Sequence, residues 1–536
     1  MQNSVKMDAR ASRGLLSGVL FLTVANVFVK ILGFFYKVPL NAVLGDEMAN
    51  VNAAYAIYAL LYTVSTAGVP NAVALSVSRA RARGKEKEAG RLLRVTVSAF
   101  FLVGAGLSAL LILLSRPIAL LNSGGDSYLC LLAIAPALMF AALNSVLRGY
   151  FQGFERLEPT AVSELIEAVG KTLFGLLFAF IYLSYFRGSV RHAAALSVFA
   201  ITLGTSFSAL SLGIFYRKRK TVSSADKAEE REGKDDKRLL FSVLRLALPI
   251  TATAAMMSLS SLLDAQLMRP LLSRFYGDAG VAKMLYSDYS TGALTLYNLP
   301  AILVTPMSAA AIPFIAAALE KGESTRAKGA MEVALRAAAL ISLPCALGMS
   351  ALASPILSFV FRGDDDMAKN TGSLLSVLAL AIFFVAVFTV TGAVLQAAKK
   401  EKLPLISLGV GIAVKLASLF ILTLTVGEIG VPVSTLLFYI SVCALNLYFV
   451  REELGLAVHF GRTFFRPALA ALLSAAGAYF SYAFLLLRLG ESAALFAAIC
   501  FAALLYLLGI AALRCVGREE LALLPFFKKR FASREK

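Results

Sequence analysis

The stretch VFVKILGFFYKVPL, residues 27–40, decides how this chain is to be read. It is apolar over most of its length, yet Lys30 stands in its middle and Lys37 lies two helical turns further on. An ionised side chain at the centre of a bilayer costs about 2.5–3.5 kcal/mol on translocon-insertion scales. Either the run stays out of the membrane or another part of the protein offsets that cost. Composition favours the second reading. Of the 536 residues, 59% are hydrophobic and 16% charged, and the mean hydropathy is +0.76. A soluble domain carries about 25% charged residues. Apolar runs of about 20 residues, long enough for a crossing, recur from one end of the chain to the other. Alternating strands of about ten residues are absent, which argues against an outer-membrane barrel. The reading is an all-α integral membrane protein.

Fourteen transmembrane helices are predicted, at 14–36, 49–78, 93–114, 128–147, 160–183, 193–216, 242–268, 291–318, 331–353, 373–397, 404–425, 431–450, 466–487 and 492–513. Several exceed the minimum, so tilt or extra turns outside the bilayer are expected. Pro70, Pro249, Pro300, Pro306, Pro313 and Pro344 lie in or near these spans and should kink them. The net charge of +19 could suggest nucleic acid, but its placement does not. With the N-terminus inside, about 35 of the 52 Lys and Arg fall in cytoplasmic segments, a positive-inside bias that puts both termini in the cytoplasm. The basic loops should also touch anionic membrane lipids. Lys6, Arg10 and Arg13 precede the first apolar run, which lacks an A-x-A exit and reads as an uncleaved span.

The polar segment RKRKTVSSADKAEEREGKDDKR, residues 217–238, reads as a cytoplasmic linker after six spans. The two sides of it look alike. GKEKEAGRLLRV from Gly84 aligns without gaps to GESTRAKGAMEV from Gly322, and the same register places SRPI (115–118) on ASPI (353–356). The end of span 1, YKVPLNAVLGD, matches the end of span 7, MRPLLSRFYGD, pairing Lys37 with Arg269 and Gly45 with Gly277. The expected organisation is an N-terminal lobe at 1–216, a linker at 217–241, a C-terminal lobe at 242–450, and two additional spans with a tail at 451–536. The lobes are two pseudo-symmetric six-helix repeats around a central cavity. An even span number makes both repeats enter from the same side, with the pseudo-two-fold along the membrane normal. That is a frame for alternating access.

Polar residues form faces at helical spacing on four spans that the repeat relates in pairs. Thr23, Asn26, Lys30 and Lys37 share one face of span 1. Thr160, Glu164, Glu167 and Lys171 do so in span 5, Thr253, Ser260 and Asp264 in span 7, and Ser407, Gly411, Lys415 and Ser418 in span 11. Such faces avoid lipid, so they are expected to meet in a hydrated cavity that solvates Lys30 and Lys415. Competing readings stand beside this one. Lys37, Arg269 and Arg245 lie near span ends and could snorkel to an interface. Glu167 and Lys171, spaced i,i+4, could form a structural ion pair. Asp264 could balance a lysine or bind a coupling cation or proton.

No phosphate-binding Gly-rich loop, nucleophile elbow or His/carboxylate cluster appears, and the outer loops are too short for an enzyme domain. Cys130, Cys345, Cys443, Cys500 and Cys515 are scattered and read as packing thiols. His192 and His459 sit in loops and receive no role. No nucleic acid, nucleotide, metal or cofactor is expected, and the chain reads as a monomer.

LTVANVFVKILGFFYKVPL, YTVSTAGVPNAVALSVSRARARG, VLRGYFQGFERLEPTAVSELIE, LLDAQLMRPLL and LYNLPAILVTPMSAAAIPFI together resemble the stage V sporulation protein B-like polysaccharide transporters. These belong to the superfamily of multidrug/oligosaccharidyl-lipid/polysaccharide exporters. The resemblance runs from about residue 13 to 450. It implies fourteen helices, two lobes and a central cavity, and flipping of undecaprenyl-diphosphate-linked saccharides, including the peptidoglycan precursor lipid II, from inner to outer leaflet. The lipid II flippase branch carries basic-Ile-Leu-Gly in its first span, here Lys30-Ile31-Leu32-Gly33. Its second basic residue falls where this chain has Tyr36, with Lys37 one step later, and its second-span arginine has no counterpart in AIYALLYTVSTAGVP.

The expected function is therefore a flippase for a polyprenyl-diphosphate-linked saccharide. Lys30, Lys37, Lys171, Arg269, Lys415 and Asn26 are the candidate headgroup contacts. Asp264, Glu164 and Glu167 are the candidate coupling or charge-balancing groups. Lysine serves as a point charge for phosphate, and attraction is stronger in a low-dielectric cleft. Energy would come from a coupling cation, Na+ or H+, or from the membrane potential, which contributes about 2.3 kcal/mol per unit charge per 100 mV. The alternatives are a cation-coupled multidrug exporter, whose cavity should be lined with carboxylates and aromatics, and a membrane glycan polymerase or ligase.

Overall fold

The computed structural model describes residues 25–515, apart from 26, 30, 34, 124, 223–233, 301–314, 317 and 362–364. Thr23, Asn26, Lys30, Pro306 and Pro313 lie outside the described residues, as do the middle of the charged linker and both basic termini.

Every regular element among the described residues is helical. After helical residues in 27–44 the chain forms α1 (Met48–Thr66), α2 (Val69–Ala82), α3 (Glu86–Ser123), α4 (Tyr128–Ile134), α5 (Ala137–Gly153), α6 (Glu158–Ser184), α7 (Val190–Val222) and α8 (Lys234–Tyr276). Then come α9 (Ala279–Asp288), a π-turn at Tyr289–Ala293, α10 (Leu294–Tyr297), α11 (Ser324–Ala351), α12 (Ala353–Val360), α13 (Asp365–Ala397), α14 (Lys402–Val426), α15 (Gly430–Leu454), α16 (Arg466–Leu486) and α17 (Glu491–Ala512).

Eleven stretches among the described residues are long and apolar enough to cross a membrane. Two of them, Val27–Ala82 with 56 residues and Lys402–Leu454 with 53, are more than twice the roughly 20 residues one crossing needs. Each is broken by a short 3-10 turn opened by a left-handed glycine: Gly45–Glu47 with φ +53° at Gly45, and Gly427–Ile429 with φ +74° at Gly427. A side chain at those angles would be strained, so glycine is the residue that lets the chain reverse.

Gly84 and Gly322, which the register read from the sequence pairs, have φ of +71° and +70°, and Gly45 and Gly277 have +53° and +70°. In the most apolar 18-residue windows of Tyr128–Gly153 and Ala368–Ala397, spans 4 and 10, 61% of the residues are buried, against 17% in that of Glu491–Ala512. Spans 4 and 10 thus run through protein interior, and the last span presents most of its surface outward.

The chain divides into two compact units, 1–270 and 271–536. The division falls at Pro270, within α8. The reason is packing: most of α8 belongs to the core of unit 1. Val243 and Ala247 of α8 pack in one cluster with Val69, Val73, Val77 and Ala80 of α2 and Phe151 of α5. A second apolar cluster of unit 1 joins Leu40, Met48 and Tyr58 to Leu131, Leu138, Ala194 and Val198. In unit 2, Leu374, Leu375, Leu378 and Ala379 of α13 are fully buried.

Candidate functional site

Unit 1 contains a cavity of about 420 Å³ among its apolar helices. Tyr55, Tyr58 and Tyr62 line it from α1, Arg148 from α5, and Glu164, Glu167 and Lys171 from α6. The tyrosines recur at helical spacing and contact in sequence, with ring centroids 5.9 Å apart for Tyr55–Tyr58 and 5.6 Å for Tyr58–Tyr62. Of the polar face on span 5, Glu164, Glu167 and Lys171 line this cavity, which lies within unit 1, whereas Thr160 is buried away from its lining.

Arg148 organises the charges. Its Nη2 donates to Glu167 Oε2 at 2.7 Å and to Ser208 Oγ at 3.0 Å, and its Nε donates to Ser163 Oγ at 3.0 Å. Its Nη1 lies 3.9 Å from Glu164 Oε1. The side chain is 11% exposed, and those of Glu164 and Glu167 are 23% and 24% exposed. The planar guanidinium supplies donors in several fixed directions, which a lysine could not. Its position is set by close helix contact. A Cβ at Gly149 would lie 2.6 Å from the Pro70 carbonyl oxygen, and one at Gly153 would lie 2.6 Å from the Val77 Cβ. The small residues let α5 press against α2 and carry Arg148 into the cavity wall.

The i,i+4 ion pair considered for Glu167 and Lys171 is not formed: Glu167 turns to Arg148. Lys171 Nζ instead sits 5.9 Å from the centroid of the Tyr36 ring, a cation–π contact. Tyr36 is held by a bond from its hydroxyl to the Ser197 carbonyl oxygen at 3.3 Å, and by Gly175, where a Cβ would stand 2.6 Å from the tyrosine oxygen.

The other sequence-predicted residues fall elsewhere. Lys37 is half-buried in unit 1. Arg269, 8% exposed, donates to Asn50 Oδ1 at 3.1 Å, and Asn50 donates to Glu47 Oε2 at 2.6 Å. This chain of contacts ties the end of α8 to the start of α1, so Arg269 is not a residue snorkelling to the surface. Asp264 is buried on α8, at 3% exposure.

Lys415 was expected in a hydrated cavity, and its surroundings differ. It is 1% exposed, its Nζ donates to Thr435 Oγ1 at 3.0 Å, and it stands 5.8 Å from the centroid of the Phe438 ring. The α15 side chains Thr435 and Phe438 meet the ammonium. A Cβ at Gly411 would meet Val442 at 2.4 Å, so the glycine on that same face admits α15 at close range.

Arg148 was missed from sequence because the apolar run of span 4 ends at Leu147. The available signal was Asn144, one turn earlier, whose Nδ2 donates to the Thr205 carbonyl oxygen at 3.0 Å. A polar pair spaced i,i+4 marks a helix that continues past its hydropathic end. His459 also has a contact that its loop position did not suggest, with Glu332 Oε1 at 2.7 Å from Nδ1.

The family described as "Polysaccharide biosynthesis protein" matches residues 15–319, and that described as "MatE" matches residues 249–421. The chain is 24% identical over 459 residues to the lipid II flippase MurJ of Bacillus subtilis (strain 168), covering 83% of this chain and 84% of the relative. It is 24% identical over 532 residues to stage V sporulation protein B of the same organism, covering 96% and 98%. Among solved structures, lipid II flippase MurJ in its inward closed conformation superimposes with a TM-score of 0.67 at 18% identity, over 92% of this chain and 98% of that one. The fold is thus that of a multi-pass membrane transporter. Since the first match spans more than half of the 536 residues, the chain belongs to the polysaccharide biosynthesis protein family.

Proposed function

We propose that this protein is a flippase that moves a polyprenyl-diphosphate-linked saccharide, lipid II or a related cell-wall precursor, from the inner to the outer leaflet by alternating access. The observation that carries the reading is Lys171. It is a cation in a membrane-embedded cavity, held by an aromatic ring while both nearby carboxylates are engaged by Arg148. An arriving diphosphate would find an ammonium ready to contact it and a guanidinium able to exchange a carboxylate for a phosphate oxygen. Glu164 and Glu167 keep the empty cavity neutral, and one of them taking up a proton on substrate arrival would couple transport to H+. Lys37, from the helical residues before α1, is the further cation assigned to headgroup contact, together with Lys30, which lies outside the described residues. The polyprenyl tail stays in lipid. Fourteen crossings, in two six-helix repeats plus two helices with both termini cytoplasmic, fit the two long interrupted stretches and the charge bias.

A second reading rests on the same cavity. Two carboxylates and three tyrosines are what a cation-coupled drug exporter would use, and the MatE match agrees with it. One experiment separates the two. In proteoliposomes, the wild type should expose the headgroup of a fluorescent polyprenyl-diphosphate saccharide to an outside reductant. Lys171→Gln should slow this by about tenfold or more, the loss of one charge contact in a low-dielectric site, without altering ethidium efflux. Ethidium transport by the wild type, with no headgroup movement, would decide for the exporter.

A further inference from the structure

Where α2 ends and α8 begins, unit 1 carries a second cleft, of about 660 Å³, well apart in the sequence from the Arg148 cavity. Four of its lining residues are cations: Arg79 from α2 and Lys237, Arg238 and Arg245 from α8. All four are exposed. Among the described residues, none of them has a carboxylate in contact. The cations around them behave differently. Arg91 lies 2.5 Å from Asp236, Lys85 lies 3.7 Å from Glu88, and Arg81 lies 3.8 Å from Glu155. Among the described residues, the carboxylates close by serve the neighbours of the cleft and not the cleft itself.

Four like charges around one cleft repel one another, and long side chains on loose segments would splay. Here the backbone beneath them is fixed. The α2 cluster of Val73, Val77 and Ala80 packs on Val243 and Ala247 of α8. Gly68 N donates to Thr251 Oγ1 at 3.1 Å, and a Cβ at Gly68 would lie 2.2 Å from the Ala247 carbonyl oxygen. The concentration of charge is thus built into the helix crossing and calls for a multivalent anion. The wall of the cleft identifies what else that anion carries. Phe241 lines it and is 68% exposed, and Leu248, two turns further along α8, is 62% exposed. A soluble phosphate has no use for this apolar flank, whereas a lipid does. A single phosphodiester would leave most of the four cations unmatched, whereas a diphosphate presents enough oxygens for several, with arginine able to grip two at once.

We propose that this cleft is a capture site for the diphosphate headgroup of a polyprenyl-linked precursor, taken from the leaflet at this end of α8 before the headgroup enters the Arg148 cavity. The proposal rests on the flippase reading and adds to it a first binding step, at cations that no carboxylate among the described residues contacts.

The test is binding by the full-length protein in phosphatidylcholine nanodiscs. It is followed by native mass spectrometry with undecaprenyl diphosphate, phosphatidylglycerol and inorganic pyrophosphate as separate probes. The quadruple variant R79Q/K237Q/R238Q/R245Q should bind undecaprenyl diphosphate at least about tenfold more weakly at an unchanged melting temperature. The charge-preserving R79K/R238K/R245K should stay within about threefold of wild type, and Lys171→Gln should still capture the lipid while failing to flip it. If the quadruple variant fails to fold, Arg245→Glu decides, with an expected loss of about tenfold in affinity from reversing one of four charges. Unchanged binding by the neutralised variant, with wild-type flipping intact, would overturn the capture site and leave the flippase reading standing. Phosphatidylglycerol binding as tightly as the diphosphate would make the cleft a general phospholipid site, and equal binding of pyrophosphate would make it a soluble-anion site; either overturns the proposal. A wild type that neither binds nor flips the diphosphate lipid would remove both readings together.

Discussion

Arg148 shows how a membrane interior pays for charge. Its guanidinium bonds Glu167 at 2.7 Å and sits 3.9 Å from Glu164, with Ser163 and Ser208 taking further donors. Removing the cation alone would strand two carboxylates in a largely apolar surround. Arg148→Ala should therefore lower stability by about 3–5 kcal/mol, read as a fall in melting temperature in detergent. Removing all the charges together is a different perturbation. The triple variant R148M/E164Q/E167Q should regain most of that melting temperature, because well-packed neutral groups replace a buried ion set at little cost. It should still fail in headgroup flipping, since the cation that exchanges partners is gone. A triple variant as unstable as Arg148→Ala would show that the arginine acts by shape rather than charge. The same logic places Lys415, whose ammonium meets Thr435 and Phe438 inside unit 2. A polar stripe on a helix tells that its residues avoid lipid. It does not tell whether water or a neighbouring hydroxyl receives them.

At the scale of elements, the cavity depends on how closely α6 and α7 approach. A Cβ at Gly204 of α7 would lie 2.7 Å from the Glu167 carbonyl oxygen and 3.0 Å from the Lys171 nitrogen. One at Gly170 of α6 would lie 3.1 Å from the Gly204 Cα. These glycines seat the backbone that carries both charged side chains. Gly204→Ala should push α6 away, at a cost of about 1–3 kcal/mol in stability, and slow flipping through the displaced Lys171. Gly213→Ala on the same helix meets nothing within 4 Å and should be neutral or stabilising by up to about 1 kcal/mol, the ordinary gain of alanine in a helix. Equal effects from the two variants, measured by thermal unfolding and flipping rate, would remove the packing argument. Much of this level was legible in the sequence. Periodicity placed Glu164, Glu167 and Lys171 on one face, and the repeat paired Gly84 with Gly322. Which carboxylate meets which cation was not legible, because it depends on the crossing of α5 over α2 and α6. That crossing is fixed by contacts between residues far apart in the chain, such as Gly149 with Pro70. The surroundings of Lys415 were not legible for the same reason: the approach of α15 is written in Gly411 and Val442, not in the polar stripe itself.

For the molecule as a whole, the open quantity is the number of crossings. The hydropathy pattern gives fourteen; eleven stretches qualify among the described residues, two of them long enough for two passes each. The remaining span, 291–318, lies mostly outside the described residues, so its crossing has to be argued from what flanks it. Ser189, between α6 and α7, and Ser324, at the start of α11, are both exposed. Three predicted spans separate them, at 193–216, 242–268 and 291–318. An odd number puts them on opposite sides of the membrane. In a background with the five native cysteines replaced, Ser189→Cys should react with an impermeant maleimide in intact cells, and Ser324→Cys only after permeabilisation. If both react from outside, 291–318 does not cross. The C-terminal tail, with its PFFKKRFASREK ending, would then lie outside, against the positive-inside bias. Span 7 follows six crossings and would still start from the same side as span 1, whereas the spans from 331 onward would run opposite to their partners in the first half. A single symmetry operation could then not relate the two halves, and the left-handed glycines at 84 and 322 would mark turns on opposite faces of the membrane.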